Sequence, residues 1–319
     1  MNHTSRIAVI GAAGWAGRRH VQAFHAQGAQ ITALIDPSPK VHTLARTVGA
    51  DVLDEPARLR ADDVDLVVVA LPSGSQPQVA ADLLRRGHHV LVEKPIGASV
   101  ANARVLEGIP NIDDSLMVGY TLHHHPVANK LAHWVASSEV VSLSVSSAAR
   151  KFAIDSWRAA PDEGGVAVVN GTHAIEFVAS LFPGDVTVQA THFSDRLHRG
   201  SVSDYAAATL TFRDGPLFRL ETYWNPWNHT SGLNRNDWSL EIDVVAHEGR
   251  RLWSNWSLHE WDRLGSETLH HFAEVDLFAQ QAAAALRFAQ GERPTVGYRQ
   301  ALRATALADQ IVSMRRERP

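Results

Sequence analysis

Ile7-Ala8-Val9-Ile10-Gly11-Ala12-Ala13-Gly14-Trp15-Ala16-Gly17 decides how this chain is read. The apolar run is rich in β-branched residues and predicts a buried strand. Glycines follow at G-x-x-G-x-x-G spacing, and the stretch from Trp15 to Gln27 predicts a helix. A backbone without Cβ can approach a pyrophosphate closely, and a helix N-terminus supplies free N–H groups and a positive dipole end. The spacing is one residue longer than the common dinucleotide fingerprint, so the turn alone also reads as a tight strand-to-helix connection. Asp36 argues for the first alternative. It ends the next predicted strand, Ile31 to Ile35, nineteen residues past Gly17. An acidic residue there accepts hydrogen bonds from an adenine ribose and repels a 2′-phosphate. Its neighbours are Pro37, Ser38 and Pro39 rather than arginine, so NAD is expected over NADP, with Lys40 as the residue that keeps NADP open.

Working outward, Asp65 to Ala70 is nearly all valine and leucine, as in a parallel strand buried on both faces. Helical patterns at Pro39 to Val48 and Pro77 to Arg86 alternate with strands at His88 to Val92 and Leu116 to Val118. That alternation predicts a doubly wound parallel sheet over residues 1–121. The character changes after Tyr120. Long strands are expected at Val140 to Ala148, Thr187 to Thr191, Tyr205 to Phe212, Leu217 to Tyr223, Leu240 to Val245 and Arg251 to Ser254. Helices are expected at Pro126 to Ala136, Val166 to Leu181, Ala273 to Gln290 and Tyr298 to Arg315. Residues 122–319 therefore read as an α+β domain on a large, mainly antiparallel sheet. Eight of the nine tryptophans lie at or beyond Trp134, which marks the same division.

At 319 residues, 45% hydrophobic and 20% charged, the chain has the balance of a soluble globular protein of about two domains. Thirty basic against thirty-four acidic residues, a net charge of −4, give no electrostatic footprint for nucleic acid. With no cysteine, disulfides, thiolate metal sites and thiol nucleophiles are excluded. The first apolar run starts at Arg6, which leaves no room for a signal peptide, and no stretch approaches the ~20 apolar residues of a membrane span. A cytoplasmic protein without membrane or nucleic-acid partners is expected.

Val90-Leu91-Val92-Glu93-Lys94-Pro95 resembles a signature of the Gfo/Idh/MocA family, named for glucose–fructose oxidoreductase and inositol dehydrogenase. The resemblance takes in Ala70-Leu71-Pro72-Ser73, Gly119-Tyr120, Trp157-Arg158, Gly164-Gly165 and Gly171-x-His173-x-x-Glu176, and so covers nearly the whole chain. It implies a Rossmann domain, then an open-faced sheet domain, with the active site between them. It also implies oxidation or reduction of a sugar, cyclitol or related polyol with NAD or NADP. Cofactor contacts are implied at Gly11, Gly14, Trp15, Ala16, Asp36, Leu71, Pro72, Ser73, Gln76, Glu93, Lys94 and Arg158. Substrate contacts are implied at Tyr120 and Trp157.

By the same resemblance Lys94 hydrogen-bonds the reacting oxygen, where an ammonium stabilises developing alkoxide, and a cis peptide fits before Pro95. On the residues alone Lys94 reads equally as a surface lysine at a strand end. His173 is the implied general base, its ordinary pKa lying near working pH. The family's usual aspartate four residues earlier is Val169 here, and a valine can neither orient an imidazole nor share its proton. Asn170, three residues before His173, is placed by helical spacing to bond a substrate hydroxyl. His123, His124 and His125 are consecutive, point to different sides of any regular element, and are not expected to hold a metal. Trp157, Tyr223, Trp224, Trp227 and Trp238 are candidates to stack on sugar faces.

These readings converge on an NAD-dependent sugar or cyclitol dehydrogenase with Lys94 and His173 as acid–base residues. A reductase or redox-assisted glycosidase of the same family, and a non-catalytic NAD-binding protein favoured by Val169, stand as alternatives. Thr209-Leu210-Thr211-Phe212 and Phe218-Arg219-Leu220 are expected to put apolar residues on both faces of the second sheet, so a homodimer or homotetramer through that sheet is expected.

Overall fold

The computed structural model describes residues 4–150, 160, 163–197, 202–225 and 238–316. The chain forms two compact units, Met1–His124 with Val275–Leu302, and His125–Glu274 with Arg303–Pro319.

In the first unit, β1 (Arg6–Ile10), β2 (Gln30–Ile35), β3 (Asp51–Val52), β4 (Leu66–Val69), β5 (Val90–Val92) and β6 (Leu116–Val118) pair in the order β3-β2-β1-β4-β5-β6. Every pairing is parallel, so this is the expected doubly wound sheet. The order reverses between β1 and β4, and the glycine turn and Ala70–Ser73 leave the carboxyl ends of those two strands. A crevice at such a switch point is where ligands bind in open α/β sheets. Helices α1 (Trp15–Ala26), α2 (Lys40–Val48), α3 (Gln76–Arg85), α4 (Val100–Ala103) and α5 (Ile112–Ser115) connect the strands.

The second unit opens with α6 (Pro126–Ala136), then β7 (Val140–Arg150), α7 (Gly165–Val169) and α8 (Thr172–Leu181). Strands β8 (Val186–Ser194), β9 (Tyr205–Phe212), β10 (Leu217–Asn225), β11 (Trp238–Ala246), β12 (Gly249–Ser254), β13 (Ser257–Asp262) and β14 (Glu267–His271) follow. They form one sheet, β14-β13-β12-β11-β7-β10-β9-β8, antiparallel except where β10 runs beside β7. Next, α9 (Leu277–Ala289) returns to the first unit, where Ala282, Ala285 and Phe288 share a core with Val21, Phe24 and Leu34. The last helix is α10 (Tyr298–Arg316), whose Arg303 donates to the carbonyls of Ala179, Phe182 and Gly184 and so caps the end of α8. No helix among the described residues is long and apolar enough to cross a membrane.

Three sequence expectations need correction. The single helix expected from Val166 to Leu181 is broken: the N–H groups of Asn170 and Gly171 both donate to the Val166 carbonyl, and the ladder slips before α8 begins. Strands β13 and β14 escaped prediction because they form the last two positions at one end of the sheet, where only Leu258 of their residues is buried. The apolar residues of the second sheet do not occupy both faces in the runs named for it. Leu210, Phe212, Phe218 and Leu220 are buried on one face, and Thr209, Thr211 and Arg219 alternate onto the other.

Candidate active site

The glycine turn is shaped by close approach. Gly11 has φ +76°, and a Cβ there would lie 2.2 Å from the Ala70 carbonyl oxygen; at Gly17 it would lie 2.1 Å from that of Gly11. Gly14 and Trp15 are exposed, and α1 has neither a capping side chain nor an acidic residue in its first turn. Its first N–H groups are thus without a side-chain acceptor, and a dinucleotide pyrophosphate fits this cradle. The Asp36 carboxylate braces the turn, accepting from Ala13 N–H at 2.9 Å and from Ser38 N–H at 2.8 Å. Trp15, 58% exposed, meets Phe278 of α9 edge to face at 5.6 Å.

Lys94 follows β5 and is half-buried, and its bond to Pro95 is cis. Its surroundings are built from inward-facing polar groups. Glu93 is 8% exposed and binds His20 Nε2 at 2.7 Å through Oε1, while Oε2 accepts from Lys94 N–H at 3.2 Å. Burial pushes the Glu93 carboxyl up, but the His20 imidazole and the Lys94 ammonium and N–H together hold it below the ordinary carboxylate range. Gln76 is fully buried and donates through Nε2 to the Pro95 carbonyl at 2.9 Å. Ser73 is buried too, whereas Leu71 and Pro72 remain partly accessible, as does Ala16. Of the implied cofactor residues, then, Glu93 and Gln76 direct their side chains into the loop that carries Lys94. Tyr120 is 1% exposed, an interior residue of the first unit.

In the second unit His173 occupies the first turn of α8 and is partly accessible. Val169 is buried in α7, before the slip, so the one-turn relation assumed for a continuous helix does not hold. Asn170 sits at the slip. Its Nδ2 donates to Thr222 Oγ1 at 2.7 Å and to Ser147 Oγ at 3.4 Å, and Ser147 donates to Thr222 at 3.0 Å. The amide's donor side is thereby committed to the sheet, leaving Oδ1 for any substrate hydroxyl. Trp224 lies on the helix-covered face, 3% exposed, and so is a core residue. Trp157, Arg158 and Trp227 lie outside the described residues.

The histidine run divides its roles. His125 caps α6, accepting from Val127 N–H at 3.2 Å, and stacks on Trp256 with Trp253 beside it. Burial drives its pKa down to about 4. His124 is also lowered to about 4, by burial first and then by the charges of His123 and Arg287. His20, Ser147 and Thr222 were missed in the sequence. The signal for His20 was present: it lies one turn beyond Gly17 on the face of α1 that carries Val21 and Phe24.

Residues 5–109 match the family pattern described as an oxidoreductase family with an NAD-binding Rossmann fold, and residues 138–250 match the GFO/IDH/MocA C-terminal domain. The chain belongs to the GFO/IDH/MocA family. It is therefore an NAD(P)-binding oxidoreductase. It is 26% identical over 250 residues to D-xylose 1-dehydrogenase (NADP(+)) 2 of Haloferax volcanii, covering 75% of this chain and 74% of that one. Its fold is similar to that of a 3-ketoreductase from Actinomadura kijaniata in complex with NADP and TDP-benzene, with TM-score 0.81, 23% identity and 98% of each chain covered. It is similar also to a levoglucosan dehydrogenase in complex with NADH, with TM-score 0.82, 15% identity and 98% and 96% covered.

Proposed function

We propose that this oxidoreductase transfers a hydride between NAD and a secondary alcohol carbon of a sugar, cyclitol or related polyhydroxy compound, with Lys94 and His173 as its acid–base residues. The observation that carries the reading is the Lys94 loop. It leaves the strand beside the switch point and is held by Glu93 and Gln76 next to a cradle that fits a dinucleotide. When bound, the nicotinamide supplies the acceptor or donor for hydride. The chain's own task is to hold the substrate oxygen and move one proton. In oxidation, the Lys94 ammonium donates a hydrogen bond to the hydroxyl oxygen and stabilises negative charge as it develops there. The His173 imidazole takes the hydroxyl proton as the C–H bond gives up its hydride. In reduction both movements reverse. The relatives support the substrate class, since the xylose and levoglucosan dehydrogenases and the 3-ketoreductase are named for carbohydrate or keto substrates.

NAD is proposed over NADP because Asp36 places a carboxylate at the end of β2 with no arginine among its neighbours. The second unit is proposed to bind substrate, and to assemble a homodimer or homotetramer through its sheet. Absorbance at the reduced-nicotinamide band, with D-xylose, D-glucose and myo-inositol and with their keto forms in reverse, tests the reading. Turnover abolished by Lys94→Ala is expected. Absence of turnover across that panel in both directions overturns the substrate class, and unchanged turnover in Lys94→Ala overturns the mechanism.

A further inference from the structure

The first unit holds one buried polar pair for which the reaction as written has no use. His20 is 0% exposed in the middle of α1, and Glu93 follows β5 directly before Lys94. Their side chains meet at 2.7 Å. The other imidazole nitrogen, Nδ1, is buried without a hydrogen-bond partner among the described residues. The tautomer carrying its proton on Nε2 therefore leaves only a lone pair unmet, whereas a cationic ring would leave a buried N–H unmet. His20 thus donates one charge-assisted hydrogen bond to Oε1. The ring cannot swing away, because Phe278 packs edge-on at 5.0 Å and Phe24 stacks at 6.3 Å. With Oε1 pinned, Oε2 is presented to the Lys94 N–H. Gly119 lies against the carboxylate: a Cβ there would reach ordinary contact with it, 3.4 Å from Glu93 Cδ.

We infer that His20 is a positioning residue for Lys94, acting through Glu93: it ties the helix that begins at the dinucleotide turn to the loop that carries the ammonium. The Glu93 carboxylate is the shared element. One oxygen is fixed by α1 and the other fixes the backbone from which the Lys94 side chain departs. A strand-end lysine has four rotatable bonds of its own, so its reach is set by where that backbone is held. Misplacement of a reacting group by about 1 Å costs on the order of 10²-fold in rate. The charge logic points the same way, since the pair keeps a carboxylate ionised close to the ammonium.

The inference rests on the proposed role of Lys94, and the experiment separates the two. His20→Phe preserves the ring packing and removes the donor; His20→Gln retains an N–H for Glu93; Glu93→Gln removes the charge and keeps the shape. Turnover is followed on the best substrate of the D-xylose, D-glucose and myo-inositol panel, with the deuterium isotope effect on hydride transfer, NADH affinity by fluorescence, and melting temperature. His20→Phe is expected to lower kcat ten- to a hundredfold, raise the isotope effect and leave NADH affinity within twofold, while His20→Gln recovers most of the turnover. Because the action runs through Glu93, the His20→Phe/Glu93→Gln pair is expected to be no slower than Glu93→Gln alone. That double variant has no buried unpaired charge, so it folds even where His20→Phe does not. Additive losses, or a fall in kcat with an unchanged isotope effect, overturn the inference and leave His20 a packing residue. Wild-type kinetics in His20→Phe, with Lys94→Ala inactive, overturn it alone. Normal turnover in Lys94→Ala overturns the underlying reading.

Discussion

Lys94 and His173 have opposite kinds of chemistry beside them. Under Lys94 lies a buried ionic arrangement, His20–Glu93, in which a carboxylate is fixed from one side and fixes a backbone on the other. Beside His173 lies a neutral set, with the Asn170 amide bonded to two hydroxyls across a helix slip. A buried carboxylate held by a charge-assisted hydrogen bond orients strongly and fails badly, since removing the donor leaves an uncompensated charge. An amide–hydroxyl set is more forgiving, because Ser147 and Thr222 still satisfy each other when Asn170 is gone. The lysine half should therefore be intolerant of change in its support, and the histidine half graded.

The largest effects test whether both halves act on substrate at all. His173→Ala is expected to lower kcat by about 10²- to 10⁴-fold, the range for a positioned acid–base group. Steady-state kinetics of that variant beside Lys94→Ala check it. Near-normal turnover in His173→Ala would move the base elsewhere, with Tyr120 or His123 next to be tried, and the contrast between the halves would lose its meaning.

Acid comes next. His125, sandwiched by tryptophans at the start of α6, has its folded pKa lowered to about 4 from an ordinary 6.5. Its stabilising contribution is whole above pH 6.5, where both states are neutral. It is lost as pH falls from 6.5 to 4, because only the unfolded chain takes up the proton there, and the loss levels off below 4. The full loss is about 3 kcal/mol. His124 contributes in the same window. Urea denaturation at pH 7 and at pH 4.5 is expected to show this fall, and His125→Asn, which retains a capping acceptor, is expected to flatten it by about half. An unaltered slope in that variant would show that His125 does not titrate where its burial puts it.

The contrast also explains what could be read without a structure. The lysine half depends on residues with few substitutes: glycines where a Cβ would strike a carbonyl, an acid at a strand end, and the Glu-Lys-Pro run. Such residues announce themselves singly. The histidine half depends on Ser147, Thr222 and Asn170, small polar residues of kinds common on any sheet. Only the pairing of β7 with β10 brings the first two side by side. Helical periodicity through Val166 to Leu181 was genuine, but it concealed the slip at Val166 and the bonds that tie the Asn170 amide donor to the sheet. The return of α9 was equally hidden, because its apolar face fits any helix-covered core.

A smaller effect measures how forgiving the neutral set is. Asn170→Ala is expected to cost about 1–2 kcal/mol, the range for lost hydrogen bonds whose partners remain satisfied. With its donor side in the sheet, the kinetic loss should fall on kcat through the placement of His173, with KM changing less than threefold. Denaturant titration with initial-rate kinetics checks both. A variant that raises KM alone would instead support a substrate contact at Asn170.

The smallest expected effect concerns Asp36, where the lysine half shows two functions in one side chain. Its carboxylate accepts from Ala13 N–H and Ser38 N–H, and it also sets the charge that a ribose or a 2′-phosphate would meet. Asp36→Ala removes both at once. NAD binding should weaken by roughly tenfold, about 1.4 kcal/mol, from the lost hydrogen bonding, and the NAD-to-NADP gap should narrow as phosphate repulsion is relieved. Asp36→Asn separates the functions. Its carbonyl oxygen can still accept from one backbone N–H, so the turn keeps part of its brace while the charge is gone. If discrimination is electrostatic, Asn narrows the gap as far as Ala does while losing less NAD affinity, and the gap shrinks further at high salt in the unmodified protein. If discrimination comes from the shape of the turn, Asn behaves like the parent and only Ala changes the ratio. Fluorescence titration with both reduced cofactors distinguishes the two, with Trp15 beside the turn as reporter. Equal or tighter NADPH binding by the parent would overturn the preference and transfer the discriminating role to Lys40 at the start of α2.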